Sequence, residues 1–392
     1  MTTASMWSYT WDLTYGSVSD TIGRLKNEIG LDTVSVATSY HTYEMLCGYR
    51  KGRKFLWEPQ AAVYFQPDLS FYADTPIKPH VSPSATESDP LRAIGDACEM
   101  HGLTLSSWTV CLHNSLLATR HPDHAQTNAF GDVMPHALCP SSPAVQTYMV
   151  ALARNLTQRY PVRVMELETL NFQGYAQHHY HGKFGLVPGP VESLLFSLCF
   201  CAHCEKHAAA RGLDMDALRG EVHQQLDRFC EDATPSPQPL DEYIAAHTNI
   251  NALLALRADI VSDFVRLIRE NIDAPVYFYL MGDYAIAGMR YGELAQIADR
   301  VVILAYTDSP EQVVKQISGL KKDGVPAEKV IAGMQAYPPA SPDADTLRRT
   351  VSAAAAEGVA GYCFYNYGIM PRKNLAWVGS ALTGVRNTEG KR

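Results

Sequence analysis

Two carboxylates stand at the end of an apolar run, Val162-Arg163-Val164-Met165-Glu166-Leu167-Glu168. In a strand alternate residues share a face, so Val164, Glu166 and Glu168 point one way and Met165 and Leu167 the other. An unpaired carboxylate in an apolar interior costs several kcal/mol, so two of them there ask for a reason. Glu168, at the C-terminal end, is expected to be a general acid/base with a raised pKa. The plainer alternative pairs one Glu with an Arg or Lys and uses the other to cap the next helix. His178, His179, His181 and Lys183 follow shortly after. They could form a solvated loop or hydrogen-bond a polar substrate, or two of the histidines could join Glu166 or Glu168 around a metal ion. Cys199, Cys201 and Cys204 place three soft ligands within six residues. With Cys139 or a nearby histidine (His203, His207) as fourth ligand they would hold a structural zinc; without a metal they read as small buried apolar side chains.

The elements that must position these groups alternate regularly. A first strand is expected from Trp7 to Leu13, ending near Trp11 and Asp12, and a helix from Val18 to Ile29 closed by Gly30. A second strand begins at Thr33 and ends at Ser39-Tyr40-His41. Asp89-Pro90 opens a helix to His101, and Leu103 to Cys111 forms a third strand ending at His113-Asn114. A helix from Pro143 to Tyr160 leads into the strand with the two glutamates. After one long helix, Asp241 to Asn271, four more strands end at Asp283, at Tyr306 and Asp308, at Gln335 and Tyr337, and at Asn366 and Tyr367. Eight strands, each followed by a helix, predict an α/β fold, the closed (β/α)8 or TIM barrel. One barrel would span residues 1–392, with long insertions after strand two (41–89) and strand four (171–239). The latter would wall an active site at the C-terminal rim of the strands. Asp12, Trp11, His41, His113, Asn114, Tyr306, Gln335, Tyr337, Asn366 and Tyr367 all fall on that rim and are candidates to bind substrate.

Net charge is −8, so the chain carries no basic footprint for nucleic acid or an anionic membrane. No apolar run approaches the roughly 20 residues of a membrane span, and the first residues lack a charged segment followed by an apolar one. Nine cysteines, an odd number, argue against a disulfide framework. A cytoplasmic setting is therefore expected.

The arrangement resembles the (β/α)8 glycoside hydrolases, many of which carry their acid/base Glu at the end of strand four, where Glu168 stands. Asn128-Ala-Phe-Gly131, Leu138-Cys139-Pro140-Ser-Ser-Pro143 and Leu198-Cys199-Phe200-Cys201-Ala-His-Cys204 look like segments of glycosidase-like barrels. The resemblance implies hydrolysis of a glycosidic bond in a carbohydrate, with no cofactor required for the chemistry. Trp7, Trp11, Trp57, Trp108 and the 21 tyrosines offer flat faces to a sugar. Gln335 departs from the pattern, because retaining members place a nucleophilic Glu at the end of strand seven. The second acid would then be Asp308 or Asp283, or Glu166 would assist Glu168 electrostatically. Alternatively the substrate's own N-acetyl group attacks, as in the chitinase family, which Glu166-Leu-Glu168 and Tyr306-Thr-Asp308 loosely resemble. Two rival expectations share the barrel: a metal-dependent sugar isomerase, epimerase or lyase using Glu166, His179 and His181, and a non-catalytic carbohydrate-binding protein with its glutamates salt-bridged.

Overall fold

The computed structural model describes residues 2–177 and 181–389. Eight parallel strands form the barrel: β1 (Thr3–Tyr9), β2 (Thr33–Tyr40), β3 (Thr104–Val110), β4 (Val162–Glu168), β5 (Val276–Tyr279), β6 (Arg300–Leu304), β7 (Val330–Gln335) and β8 (Gly361–Tyr365). Each pairs with its neighbours in sequence, and β1 pairs with both β8 and β2, so the sheet closes. The (β/α)8 barrel expected from the βα alternation is therefore present.

Period-2 alternation sorts the strand residues into two cores. Met6, Val34, Leu105, Met165, Leu167, Phe278 and Val301 face outward and belong to the large apolar cluster shared with the surrounding helices. Trp7, Ala37, Trp108, Tyr279, Val302, Ile331 and Cys363 face inward and fill the barrel. Trp7 reaches across it so closely that a Cβ at Gly333 of β7 would lie 2.6 Å from the indole edge. Gly333 is thus the cavity for Trp7, and the barrel is a packed plug rather than a pore.

Several boundaries differ from the sequence reading. The first strand starts earlier and stops at Tyr9; Thr10–Leu13 is a helical turn that lays Trp11 flat on Tyr9, centroids 4.5 Å apart. The long helix is two, Leu240–Ala246 and Thr248–Glu270, interrupted at His247, whose ring Nδ1 lies 2.8 Å from the Tyr243 carbonyl. The insertion after β2 holds a hairpin, Tyr43–Leu46 with Phe55–Glu58, and a two-residue strand, Ala62–Val63, antiparallel to β2. A second hairpin, Ala125–Thr127 with Val133–Leu138, fills the connection after β3. Helices Pro190–Ser197, Ala202–Ala210 and Met215–Asp232 make up most of the insertion after β4. At the opposite end of the barrel Asp32 accepts from Ala4 N (2.9 Å) and from Arg386 (2.7 Å), fastening the start of β1 to the last helix, Asn374–Glu389.

Candidate active site and metal centre

The alternation of β4 puts Glu166 in the middle layer of the barrel and Glu168 one layer higher, at the rim. Glu166 is buried, and three donors from three other strands converge on it. Tyr279 O–H (2.6 Å) and Trp7 Nε1–H (3.3 Å) donate to Oε2, while Ser106 O–H donates to Oε1. Glu168 accepts one such bond, from Trp108 Nε1–H to Oε2 at 2.5 Å. Burial pushes its carboxyl up to about 7; the Trp108 bond opposes this and the charge of Glu166 adds to it. Among the described residues neither glutamate pairs with an Arg or Lys, which removes the salt-bridged arrangement considered above.

Aromatic rings wall the space around Glu168. Tyr9 O–H donates to the Tyr40 hydroxyl (3.1 Å), and the Tyr9 and Tyr365 hydroxyls lie 3.3 Å apart. Tyr306 and Tyr337 stand 5.6 and 6.4 Å from Tyr365, and Gln335 bonds the Tyr337 hydroxyl. Burial raises the Tyr40, Tyr306 and Tyr365 hydroxyls, and the negative charge of Glu168 raises them further. Trp11 continues the wall, stacked between Tyr9 and Tyr43. The His41 ring lies on Tyr40 (4.3 Å) and stacks on His113 (5.0 Å).

Other expected site residues are occupied differently. Asp283 caps the turn Tyr284–Ala287 by accepting from Ile286 N at 2.7 Å. Asn114 caps the helix Ser115–Arg120, accepting from Leu117 N at 2.9 Å. Asp308 is exposed just ahead of the helix Pro310–Lys322. Asn366 is fully buried and accepts from Gly368 N (2.9 Å), and Tyr367 is buried under the Arg372 guanidinium (4.2 Å). Asp12 is buried with the Tyr49 hydroxyl donating to it, and burial pushes its carboxyl up to about 7. A Cβ at Gly368 would fall 1.7 Å from Asp12 Oδ2, so only glycine fits there. His181 and Lys183 are exposed, and His178 and His179 lie outside the described residues. With His181 exposed and both oxygens of Glu166 taken by protein donors, the geometry lends no support to a metal held by Glu166. The donors Trp7, Ser106 and Tyr279 were absent from the sequence expectations. In the sheet Glu166 stands opposite Trp108 and Tyr277, neither of them its donor, so pairing register alone does not point to Trp7, Ser106 or Tyr279.

Cys139, Cys199, Cys201 and Cys204 are all buried, with their sulfur atoms within 4.8 Å of one another. Cys139 lies 3.9, 3.5 and 3.6 Å from Cys199, Cys201 and Cys204. Four thiolates about 2.3 Å from one zinc ion would be separated by about 3.8 Å, so the four could bind a metal. Cys201 and Cys204 sit at the start of the helix Ala202–Ala210, whose N-terminus favours thiolates. Thr127 N–H donates to Cys199 Sγ (3.5 Å). Nearby, Arg257 is buried over the Phe172 ring (4.4 Å) and donates to the carbonyls of Ala285 (3.1 Å) and Ile286 (2.6 Å). Burial lowers its pKa, while Cys204, Cys199, Cys139 and Asp283 oppose that. This buried guanidinium makes no ion pair among the described residues, and both the cysteine cluster and Asp283 would supply negative charge toward it. Of the histidines considered as fourth ligand, His203 faces His124 instead (3.3 Å).

No protein-family model matches the chain, and no curated protein does. Solved structures do match. Alpha-L-fucosidase isoenzyme 2 from Paenibacillus thiaminolyticus superposes with a TM-score of 0.59 at 14% identity, over 100% of this chain and 50% of the fucosidase chain. The chain thus spans half the length of that neighbour. The catalytic domain of beta-amylase from Paenibacillus polymyxa gives a TM-score of 0.55 at 13% identity, over 98% of each chain. At such identities what is shared is the fold: this chain is built as a barrel of the kind found in glycoside hydrolases.

Proposed function

We propose that the chain hydrolyses a glycosidic bond, with Glu168 as the proton donor to the leaving oxygen. The observation carrying this reading is the carboxyl held up to about 7 at the rim of the barrel, beneath an aromatic wall. A general acid must keep its proton near neutrality, and burial beside Glu166 does that for Glu168. Trp108 fixes one oxygen, so the other is the atom that meets the glycosidic oxygen. Glu166, clamped from three sides one layer below, supplies fixed negative charge toward the oxocarbenium-like centre rather than a nucleophile. The tyrosines at 9, 40, 306 and 365 bond sugar hydroxyls, and Trp11 and Tyr43 offer stacking faces. The amide at Gln335 leaves the attack on the anomeric carbon to water or to a group of the substrate itself. A panel of methyl glycosides and unactivated oligosaccharides, whose alkoxide leaving groups need a proton, tests this by release of reducing sugar. Turnover by the native chain should fall as pH rises through about 7, and Glu168→Gln should lower kcat by roughly 10²–10⁴-fold. Unchanged turnover in that variant would remove the reading.

In the same reading the four cysteines hold a structural zinc, carried by their spacing and by the buried charge of Arg257. The ion would staple the insertion after β4 to the connection after β3, apart from the chemistry at Glu168. Elemental analysis should give one zinc per chain, lost in Cys204→Ser; a metal-free native protein would exclude it.

A further inference from the structure

Beside the barrel mouth lies a cavity of about 770 Å³ that the proposed chemistry does not use. One wall is Met134 and His136 of the hairpin after β3; the other is Tyr175 and Phe184 of the insertion after β4, over a floor of Phe196 and Phe229. The floor and wall rings touch: Tyr175 lies 5.5 Å from Phe196, and Phe196 lies 6.5 Å from Phe229. Phe184 is 70% exposed and Val187, also on the lining, 82% exposed, so the apolar surface is open to solvent rather than closed in a core. Sites for small organic ligands span about 300–1,000 Å³ and are lined mainly by apolar and aromatic groups. Contiguous exposed apolar surface of this kind marks interaction sites and ligand-binding grooves.

Its position says what would fill it. His136 belongs to the cavity and meets His113 edge-on (5.8 Å); His113 stacks on His41, and His41 lies on Tyr40. Tyr40 is held by Tyr9 and feels the charge of Glu168. A continuous row of rings therefore runs from the proton donor to the cavity. Asn128, Asp132 and Lys183 also line the cavity, but Phe184, Leu186, Val187 and the Phe196–Phe229 floor make its surface mainly apolar, unlike the hydroxyl-lined space among the tyrosines. We propose that this cavity seats an apolar aglycone, an aryl or alkyl group on the leaving side of the glycosidic oxygen. The inference rests on the glycosidase reading for its ligand class, and its test does not depend on turnover.

The probe is 4-methylumbelliferone, an aryl aglycone without its sugar, titrated by fluorescence. Native protein and Glu168→Gln should bind it saturably with the same affinity. Val187→Asp, and separately Phe184→Ser, should weaken binding at least tenfold while the circular dichroism spectrum stays native; both side chains are exposed, so neither change burdens the core. No saturable binding to the native protein, or equal binding by both variants, would overturn the aglycone site and leave the role of Glu168 standing. Loss of the glycosidase reading would instead show as full turnover in Glu168→Gln with probe binding intact.

Discussion

Holding a carboxyl at about 7 instead of its ordinary 4.5 has a consequence for stability, and Glu168→Gln isolates it. The folded chain binds this proton more tightly than the unfolded chain does. Below about 4.5 both states are protonated and the residue is neutral in its effect. As pH rises toward about 7 the unfolded chain releases the proton first, and the folded chain loses stability. Above 7 the penalty is complete, about 3 kcal/mol at 1.36 kcal/mol per unit. Glutamine keeps the shape without the charge, and its carbonyl can still accept from Trp108. The variant should therefore match the native chain at pH 4 and exceed it at pH 8.5 by up to about 3 kcal/mol. For a chain of 392 residues the melting entropy scales to about 0.8 kcal/mol/K, so the gain in Tm would be about 4 °C. Urea unfolding at the two pH values, native against variant, measures it. A variant equally stable at pH 8.5, or one stabilised most at pH 4, would refute the claim that burial of an acid is what tunes this site.

Gly333→Ala should destabilise the fold by about 1–3 kcal/mol in urea unfolding, because its Cβ would meet Trp7 at 2.6 Å and the Ile303 carbonyl oxygen at 2.7 Å within a filled barrel. The simultaneous Trp7→Leu change should recover part of that loss, though it also removes a donor to Glu166. Arg257→Met should lower Tm in the zinc-loaded protein and weaken zinc retention against a competing chelator, since the buried cation offsets the thiolates; unaltered retention would detach Arg257 from the metal centre.

The βα alternation was legible because buried parallel strands read as short apolar runs between helical periods, and each of the eight appears in the fold. The first strand slipped because Trp7-Ser-Tyr-Thr-Trp11 keeps alternating after Tyr9. In the fold Trp11 satisfies its apolar character by stacking on Tyr9 from a helical turn, not by continuing the strand. The hairpins after β2 and β3 are not legible in the sequence, because strands of two to six residues in proline- and glycine-rich connections carry little periodicity. At the site, the facing of Glu166 and Glu168 followed from strand alternation alone. Their donors did not, since Trp7, Ser106 and Tyr279 are 159, 60 and 113 residues from Glu166 and meet it only inside the closed barrel. Likewise the sequence suggested three ligands of the cysteine cluster by proximity. It left the choice between Cys139 and a histidine to the fold.

The clasp of Asp32 with Ala4 and Arg386 has a practical corollary. It gathers the chain's first strand and last helix at the floor of the cylinder, remote from the lip where Glu168 waits. Tethering the molecule to a bead or a sensor chip by a handle placed ahead of β1 or behind the last helix would therefore leave its mouth facing outward.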